Sequence, residues 1–188
     1  MTDASNEARD QVEIREMELD DLPAVFALGE RLFTAELSPA LYRTWDEYEL
    51  LECFASDRET CLVAIRDEAV VGFALGVLIE KRSGAWTYGW LAWMGIEPAL
   101  GRSGIGHRLV RRLRQVFIEF GARMMFVDTD ADNEPAVRFF RGEGFGNEQQ
   151  HLYLFLNLTQ QADYKRRRAR SRRRAAAPRP GGGLGNDR

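Results

Sequence analysis

The sequence predicts a mixed α/β domain in which a central, mostly antiparallel sheet carries helices on both faces. The first observation is a hairpin, because residues 61–79 hold two apolar runs separated only by the polar turn RDEA. The second is a βαβ unit, since apolar segments at 85–96 and 123–128 flank an amphipathic helix at 104–120. A crossover of this kind makes its two strands parallel. Hairpin strands and one parallel pair together predict a mixed sheet.

The first half of the domain is predicted to contain one strand and two helices. Residues 1–11 are polar and acidic, and we expect a flexible N-terminus there. Side chains at 12–19 alternate between apolar and polar, which predicts a strand. Apolar residues recur at helical spacing over 22–33, and Asp21 precedes them as the expected helix cap. A second, acidic amphipathic helix is predicted over 44–56.

The second half continues the alternation of strands and helices. The helix at 104–120 has a continuous apolar face and is expected to end at Gly121. Residues 133–145 predict a short helix with a proline in its first turn, and a short strand after Phe145 is an option. The alternating segment HLYLFLNL at 151–158 predicts the last strand. The expected order is therefore β-α-α-β-β-β-α-β-α-β.

Charge is distributed unevenly along the 188 residues. The net charge of −3 combines +8 for residues 161–188, with ten Lys or Arg and two Asp, and −11 for residues 1–160. Residues 161–188 lack apolar periodicity, so we expect a disordered basic tail after a domain at 12–160. Eight basic residues within 165–174 suit weak contact with nucleic acid or another anionic surface. A solvated tail without a partner is an equal alternative.

Composition argues against several classes of protein. Hydrophobic residues make up 45% and charged residues 29% of the chain, as in an ordinary globular protein. Apolar runs are too short for a membrane span or a signal core, so we expect neither. Cys53 and Cys61 lack metal-ligand spacing, which favours reduced structural thiols in a cytoplasmic protein without a metal site.

A glycine-rich segment, PALGRSGIGHRL at 98–109, connects the strand at 85–96 to the next helix. Glycines at a helix N-terminus let the backbone approach an anion closely. A nucleotide-hydrolysing P-loop would need lysine and a hydroxyl where the chain has His107 and Arg108. A dinucleotide fingerprint would need a third glycine where the chain has Leu109. A plain tight turn before a helix is the remaining structural alternative.

Two motifs resemble those of the GNAT superfamily of N-acetyltransferases. That family has an apolar strand, a proline and then Gln/Arg-x-x-Gly-x-Gly/Ala opening a helix; here MGIEP (94–98) precedes GRSGIG (101–106). The second family motif, Asn-x-x-Ala-x-x-Phe-Tyr-x-x-x-Gly-Phe, is matched by NEPAVRFFRGEGF (133–145). The order of elements over 12–158 also resembles the GNAT fold. The layout is most similar to that of the ribosomal-protein alanine N-acetyltransferase branch.

The resemblance implies a sheet splayed between the strands 85–96 and 123–128, with acetyl-CoA in the gap. The main chain of Met94 and Ile96 would bind the pantetheine arm, and the Met94 amide would polarise the thioester carbonyl. Asn133 would contact the pantetheine, cap its helix, or do both. The residues that the resemblance places around the cofactor are Met94, Ile96, Arg102, Ser103, Gly104, Ile105, Gly106, His107, Asn133 and Phe140.

A base is expected because only a neutral amine attacks a thioester, and an alkylammonium group has a pKa of about 10.4. In the resembled branch, a glutamate five residues before the motif asparagine is the base. Asp128 stands at that offset from Asn133. Asp130, Asp132 and Glu97 are weaker alternatives, and a surface or capping role for Asp128 also stays open.

Two positions depart from the family pattern. Gly101 replaces the usual Gln or Arg, and the neighbouring Arg102 would supply the charge. Phe140 replaces the tyrosine that protonates the leaving thiolate. That proton would come from water, from Tyr88 or from Tyr153, or the thiolate would leave unassisted. Phe140 also motivates an alternative, a non-catalytic acyl-CoA-binding regulator with a basic tail that binds nucleic acid or a partner.

The predicted function is transfer of an acetyl group from acetyl-CoA to a primary amine, by direct attack in a ternary complex. The acceptor, a small molecule, peptide or protein, should bind between the first two helices and the strand 85–96. Acidic and aromatic side chains there suit a cation, although such groups are also typical of solvated helix faces and cores. They are Glu36, Tyr42, Trp45, Asp46, Glu47, Glu49, Glu52, Trp86, Tyr88 and Trp90. A monomer or homodimer is expected.

Overall fold

The computed structural model describes residues 12–34, 43–80, 86–150, 152, 154 and 156–176. Its contacts divide the chain into two units, Met1–Gln150 and His151–Arg188. The described residues of the first unit form β1 (Glu13–Glu16), α1 (Leu22–Leu32), α2 (Glu47–Ser56), β2 (Cys61–Arg66), β3 (Ala69–Glu80), β4 (Thr87–Ile96), α3 (Ile105–Glu119), β5 (Ala122–Val127) and α4 (Glu134–Gly142). The described residues of the second unit include α5 (Ala162–Ala176).

The five strands described form one sheet in the order β1-β2-β3-β4-β5. The first three pairings are antiparallel and the last, between β4 and β5, is parallel. Asp67 and Glu68 join β2 to β3 with positive φ angles of 50° and 62°, the geometry that a two-residue hairpin turn requires. The predicted mixed and mostly antiparallel sheet is confirmed.

Helices cover both faces of this sheet, as predicted. On one face, Val25 of α1 and Leu50 of α2 share a buried core with Phe73 and Trp93 of the sheet. On the other face, residues recurring along α3, such as Leu109 and Leu113, pack on a second set of strand side chains. The periodic apolar positions along α3 explain this arrangement, because they place one continuous face of the helix against the sheet.

An extra residue, Ala92, interrupts β4 halfway along its length. Trp93 pairs with Leu75 and Leu91 pairs with Gly76, so Ala92 has no partner on β3 and forms a β-bulge. The parallel pairing with β5 also ends at this level, with Leu91 opposite Val127 as its last pair. Beyond the bulge, β4 therefore continues without β5, and the sheet opens where the sequence predicts a splay.

The start of α1 differs from expectation. Asp21 forms no side-chain capping hydrogen bond to that helix within the described residues. Its carboxylate instead accepts hydrogen bonds from Arg15 Nη1 at 2.6 Å and Arg15 Nη2 at 2.8 Å. It also accepts from the Glu18 main-chain N–H at 2.7 Å. Asp21 is drawn toward β1 because a two-pronged guanidinium binds a carboxylate more strongly than a single amide does.

The last predicted strand and the optional strand after Phe145 are absent from the described residues. Residues 146–150 have no regular structure, and neither have 152, 154, 156 and 157, while the rest of 151–155 lies outside the described residues. A 3₁₀ turn follows at Leu158–Gln160. Alternation specifies which side chains share a face, but a strand also needs a neighbour for its main-chain groups.

The prediction of a disordered tail is wrong over residues 162–176, which form α5. Residues 177–188 lie outside the described residues. The helix is explained by intrinsic propensity, since Ala, Arg and Lys are all strong helix formers. Asp163 also lies in its first turn and forms an ion pair with Arg166 at 2.6 Å. Missing apolar periodicity indicates that no helix face packs on a core, but it says nothing about helix propensity.

None of the helices in the described ranges is both long and apolar enough to cross a membrane. Cys53 and Cys61 are free thiols, and both are buried. Burial raises the pKa of the Cys53 thiol to about 11 and raises that of Cys61 as well. Both side chains therefore stay protonated at neutral pH and pack as small apolar groups.

Candidate active site

A cavity of about 440 Å³ opens where β4 parts from β5. Its wall includes the first turn of α3, the second half of β4 and the residues just after β5. The predicted site residues that line it are Met94, Ile96, Arg102, Gly104, Ile105, Gly106, His107, Asp128, Asn133 and Phe140. Residues separated by up to 46 positions in the sequence are thus brought together by the βαβ crossover.

The glycine loop forms one end of this cavity. Gly104 is the N-cap of α3 and has a left-handed φ of 88°. Arg102 also has a positive φ of 65°, a conformation that costs a non-glycine residue free energy and recurs at functional turns. Loops with left-handed residues direct successive N–H groups into a concavity that suits an anion. The dipole of α3 adds a partial positive charge at the same place.

Two glycines of the loop serve different purposes. A Cβ atom on Gly104 would meet nothing within 4 Å, so that position is open, and its left-handed φ explains why glycine is needed. A Cβ atom on Gly106 would lie 3.0 Å from Ile96 Cδ1 and 3.2 Å from the Phe139 ring. Gly106 therefore permits the close packing of α3 between β4 and α4, whereas open space for a ligand lies at Gly104.

Ser103 is the predicted cofactor residue that does not line the cavity. Its Oγ atom is buried and has no hydrogen-bond partner within the described chain. A buried hydroxyl without a partner is costly, because it has given up its bonds to water. The loop therefore holds an unused hydrogen-bonding group next to the residues that line the cavity.

The open edge of β4 offers main-chain groups to the cavity. The Glu97 N–H donates to the Val71 carbonyl at 2.8 Å, so position 97 directs its main-chain groups toward β3. Successive residues of a strand direct these groups to opposite sides. Met94 and Ile96 lie an odd number of positions before Glu97, three and one respectively. Both therefore direct their N–H and C=O groups away from β3. That is the edge where β5 has ended.

Asn133 and Phe140 enter the cavity wall from α4. The Asn133 side chain caps this helix by accepting from the Ala136 N–H at 3.3 Å. Phe140 is only 9% exposed and packs edge-to-face between Phe139 and Phe145, with ring centroids 5.1 and 5.5 Å away. Phenylalanine at this position thus completes an aromatic cluster that anchors α4, and its ring carries no proton to donate.

His107 lies in the first turn of α3 at the edge of the cavity. Its Nδ1 atom forms a hydrogen bond with Glu143 Oε1 from the end of α4. Glu143 also lies 3.3 Å from Arg114 Nη2, and its side chain is only 9% exposed. The carboxylate thus ties the C-terminus of α4 to two side chains of α3, which fixes the orientation of the imidazole ring.

Asp128 follows directly after β5, at the opposite end of the cavity from the glycine loop. Its Oδ1 atom accepts a hydrogen bond of 2.7 Å from Trp90 Nε1. Arg43 Nη1 lies 3.7 Å from the same oxygen. The Asp128 side chain is 36% exposed, so a ligand can approach it. A carboxylate held by an indole and facing solvent can accept a proton from a bound amine.

Arg43 is the central residue of this end of the site. Its Nη1 donates a hydrogen bond of 2.8 Å to the Ala92 carbonyl at the bulge. Its guanidinium carbon lies 4.0 Å from the Trp93 ring centroid and 4.8 Å from that of Trp90, within cation–π range of both. The bulge carbonyl and two indoles therefore hold one guanidinium in place.

Sequence reasoning missed Arg43, although a signal for it existed. It is the only Lys or Arg between Arg31 and Arg58, in a stretch rich in acidic and aromatic residues. A single cation among many carboxylates is expected to find a partner among them. The resemblance carried no information about this position, because Arg43 lies outside both motifs.

A second cavity, of about 260 Å³, lies on the α2 side of Arg43 and Ala92. We call it the acidic cavity, because Glu49 and Glu52 of α2 contribute carboxylates to it. Glu49 accepts a hydrogen bond of 3.0 Å from Trp93 Nε1 and lies 3.8 Å from Arg43 Nη2. Both of these predicted acceptor residues thus line a cavity that shares Arg43 and Ala92 with the larger one.

The other predicted residues have different surroundings. Asp130 lines the larger cavity, whereas Glu97 forms an ion pair of 2.7 Å with Arg31. Trp90 lines the acidic cavity, and Tyr88 stacks on Trp86 with ring centroids 6.5 Å apart. Trp45 is a buried core residue, Asp46 caps α2, and Glu47 lies in the first turn of that helix. The positions Glu36, Tyr42 and Tyr153 lie outside the described residues.

Among the described side chains, no group of three His, Cys, Asp or Glu residues could hold a metal ion. The described part of the cavity offers a helix N-terminus, an open strand edge and an accessible carboxylate.

Comparison of the sequence with protein families matches residues 22–145 to the acetyltransferase (GNAT) family. The match covers well over half of the chain and includes the glycine loop, β4, Asp128 and α4. A search of curated proteins gave no significant match.

Solved structures share the fold over almost their whole length. An aminoglycoside acetyltransferase from an uncultured soil metagenomic sample, in complex with trehalose, has a TM-score of 0.63 and 21% identity, over 79% of this chain and 97% of that one. AAC(6')-Iy with a CoA-S-monomethyl-acetylneamine bisubstrate analogue has a TM-score of 0.62 and 17% identity, over 78% and 98%. The NatC complex bound to Gag peptide and CoA has a TM-score of 0.65 and 16% identity, over 78% and 92%.

Identities at this level establish a shared fold and leave the acceptor open. The family match adds the sequence evidence that the structural likeness lacks, since it covers the residues around the splay. With a splayed mixed sheet, a glycine loop opening α3 and an acyltransferase family match, the chain belongs to the GNAT family of acetyltransferases.

Proposed function

We propose that this acyltransferase moves the acetyl group of acetyl-CoA to a primary amine, by direct attack of the amine in a ternary complex. The observation that carries the proposal is one cavity that joins the N-terminus of α3, the open edge of β4 and the Asp128 carboxylate. Solved neighbours include complexes with CoA and with a CoA conjugate, which supports CoA as the donor here. The ribosomal-protein branch stays a prediction.

The loop and strand fit the two parts of a CoA molecule. The loop N–H groups, the α3 dipole and the charge of Arg102 would hold the pyrophosphate, with open space at Gly104. The unsatisfied Ser103 hydroxyl adds a donor beside them. Met94 and Ile96 would bind the pantetheine amides along the open edge of β4. Acetyl-CoA supplies an acetyl group activated as a thioester.

Asp128 and Met94 would then have separate roles in the reaction. Asp128 takes a proton from the acceptor ammonium, which frees the nitrogen lone pair for attack on the acetyl carbon. As the N–C bond forms, the Met94 N–H donates to the carbonyl oxygen where negative charge develops. The nitrogen then gives its second proton to water as the C–S bond breaks, which leaves a neutral amide and releases the thiolate. The ordinary pKa of a thiol, about 8.5, makes the thiolate a tolerable leaving group without a proton from Phe140.

The Asp128→Asn variant tests this assignment. With an alkylamine acceptor, we expect the rate at pH 7 to fall by at least about 100-fold, because asparagine cannot accept the proton. The defect should shrink as the pH approaches the acceptor's pKa of about 10.4, where the amine is already neutral. Mass spectrometry of the acetylated amine, together with free thiol release, measures the rate across the pH range.

Asp132→Asn is the matched control, because Asp132 lies four residues away on the same loop and is exposed. It should leave the rate unchanged. An undiminished rate in Asp128→Asn at pH 7 would remove Asp128 as the base. If calorimetry shows acetyl-CoA binding while a broad panel of amines and peptides gives no turnover, the non-catalytic regulator motivated by Phe140 becomes the better explanation.

A further inference from the structure

Arg43 separates the cavity at the splay from the acidic cavity. Arg43 and Ala92 line both of them. The Arg43 side chain is only 17% exposed, because the Trp90 and Trp93 rings and the Ala92 carbonyl enclose its end. An amine that enters through the acidic cavity therefore meets this guanidinium before it reaches the splay.

The charges around Arg43 exceed its own. Asp128 and Glu49 lie 3.7 and 3.8 Å from its guanidinium nitrogens, and Glu52 lines the same acidic cavity. Two carboxylates therefore lie close to one cation and a third lines the same cavity, which gives these four side chains a formal net charge of −2. Such a surrounding attracts further cations and repels anionic ligands.

Each contact that Arg43 makes is one that a ligand ammonium could make in its place. Indole faces attract ammonium as well as guanidinium groups. A main-chain carbonyl and two carboxylates accept hydrogen bonds from either. The position next to Asp128 is also the one that an acceptor amine must reach if Asp128 is to remove its proton.

We propose that Arg43 is a specificity-determining gate whose guanidinium occupies the place of the acceptor's ammonium group and is displaced when the acceptor binds. The inference rests on the proposed function, since it places the acceptor beside Asp128. It selects compact amines that carry two or more positive charges, because these exchange for Arg43 and also satisfy Glu49 and Glu52. An acceptor with a carboxylate near its amine is disfavoured.

Binding of butane-1,4-diamine, followed by tryptophan fluorescence without acetyl-CoA, tests the gate directly. Trp90 and Trp93 both contact Arg43, so exchange of the cation between them should change the emission. In Arg43→Ala, we expect the dissociation constant of the diamine to fall about fivefold, since the internal competitor is gone. Free guanidinium ion should compete with the diamine in this variant.

Two further variants control for the loss of a stacked arginine elsewhere and for a failure to fold. Arg58→Ala is the matched control, because Arg58 also stacks on an aromatic ring, Phe54, at 5.5 Å but lines neither cavity. It should bind the diamine as the wild type does. Arg43→Gln keeps an N–H donor for the Ala92 carbonyl without the charge, and it replaces Arg43→Ala if that variant does not fold.

Kinetics provide a readout that loss of structure alone would not produce. The KM for the diamine should fall in Arg43→Ala and Arg43→Gln, while the KM for acetyl-CoA stays unchanged. 4-Aminobutyrate, which carries a carboxylate, should gain less than the diamine. If instead Arg43 recognised an anionic acceptor or only supported the fold, diamine binding would weaken or stay the same, and either result overturns the gate.

The binding assay does not depend on turnover. If the Arg43 variants bind the diamine more tightly, but neither they nor the wild type transfer acetyl groups, the gate is upheld and the proposed function is refuted. If acetyl transfer is normal and the Arg43 variants bind the diamine as the wild type does, the gate is refuted and the proposed function is upheld.

Discussion

At the scale of single residues, Asp21 is a buried carboxylate held by a guanidinium and a main-chain N–H. It accepts two hydrogen bonds from Arg15 and one from the Glu18 N–H, and its side chain is 11% exposed. The hydrogen bond from Arg15 lowers the pKa of Asp21, and the Glu18 N–H acts in the same direction. This network joins β1 to the turn that leads into α1.

Asp21→Asn should therefore destabilise the protein in a pH-dependent way. The folded-state pKa of Asp21 is depressed, so its contribution is fully present above the ordinary value of 3.8 and is lost as the pH falls below it. We expect a loss of about 2 kcal/mol at pH 7 that shrinks near about pH 3. Urea unfolding of both proteins at the two pH values measures it.

Asp20→Asn, at the neighbouring exposed position, is the control and should cost little at either pH. A loss in Asp21→Asn that is equally large at both pH values would contradict the charge argument. It would indicate that the shape of the side chain matters and its ionisation does not.

Residue types and motif spacing predicted which residues of the glycine loop line the cavity, and their role in binding a cofactor stays a prediction. Gly104, Ile105 and Gly106 line the cavity because the loop and the helix start are encoded locally, within one short segment. The contacts at the Asp128 end of the cavity could not be predicted in the same way. Arg43 meets Trp93 and Asp128 only after the sheet has formed, and no spacing in the sequence reports such distant contacts.

At the scale of elements, the packing of α3 on the sheet depends on a missing side chain. A Cβ atom on Gly89 of β4 would lie 2.3 Å from Cδ2 of Phe117, and the Phe117 ring is 1% exposed. A buried ring of α3 thus rests directly on the main chain of β4. The ring cannot turn away, because neighbouring core residues enclose it.

Gly89→Ala should lift α3 from the sheet locally. We expect about 2 kcal/mol of destabilisation, the usual effect of overpacking a dense core. Phe117→Leu should recover part of this loss in the double variant, and thermal unfolding of all four proteins gives the coupling energy.

Gly142→Ala is the matched control, since a Cβ atom there meets nothing within 4 Å and φ is not positive. It should be neutral or slightly stabilising. Simple additivity of Gly89→Ala and Phe117→Leu would show that the two positions do not clash.

In two C-terminal segments, the structure differs from what the local sequence pattern predicts. Residues 151–158 alternate like a strand, yet the described positions among them form none, and Leu152 and Leu154 are 88% and 91% exposed. Conversely, 162–176 has no apolar face and still forms α5. Alternation needs a neighbouring strand to act on, whereas the propensity of Ala and Arg acts within a single segment.

At the scale of the whole molecule, charge separates along the chain. Residues 1–160 carry −11 and residues 161–188 carry +8. The described side chains of α5 are exposed. A cationic helix of this kind attracts phosphate groups, whereas the acidic domain repels them.

Any binding of the full chain to duplex DNA should be abolished by deleting residues 161–188, and acetyl transfer should stay intact. The full chain, using about six phosphate contacts, should lose about a thousandfold in affinity between 50 and 200 mM salt. Fluorescence anisotropy with a labelled duplex measures both effects. Equal binding by the shortened protein would place the contact in the acidic domain, against the charge argument.

The bulge at Ala92 makes the site depend on the length of β4 as well as on its side chains. Regular alternation would put positions 90 and 93 on opposite faces of the sheet, yet Trp90 and Trp93 both pack on the α1 and α2 side. The extra residue causes this, so both indoles reach the same guanidinium. Substituting Ala92 would keep both indoles on the same face of the sheet, whereas deleting this residue would turn one of them to the opposite face. The identity of residue 92 can therefore change, but the strand cannot lose a residue there without separating the two indoles that hold Arg43.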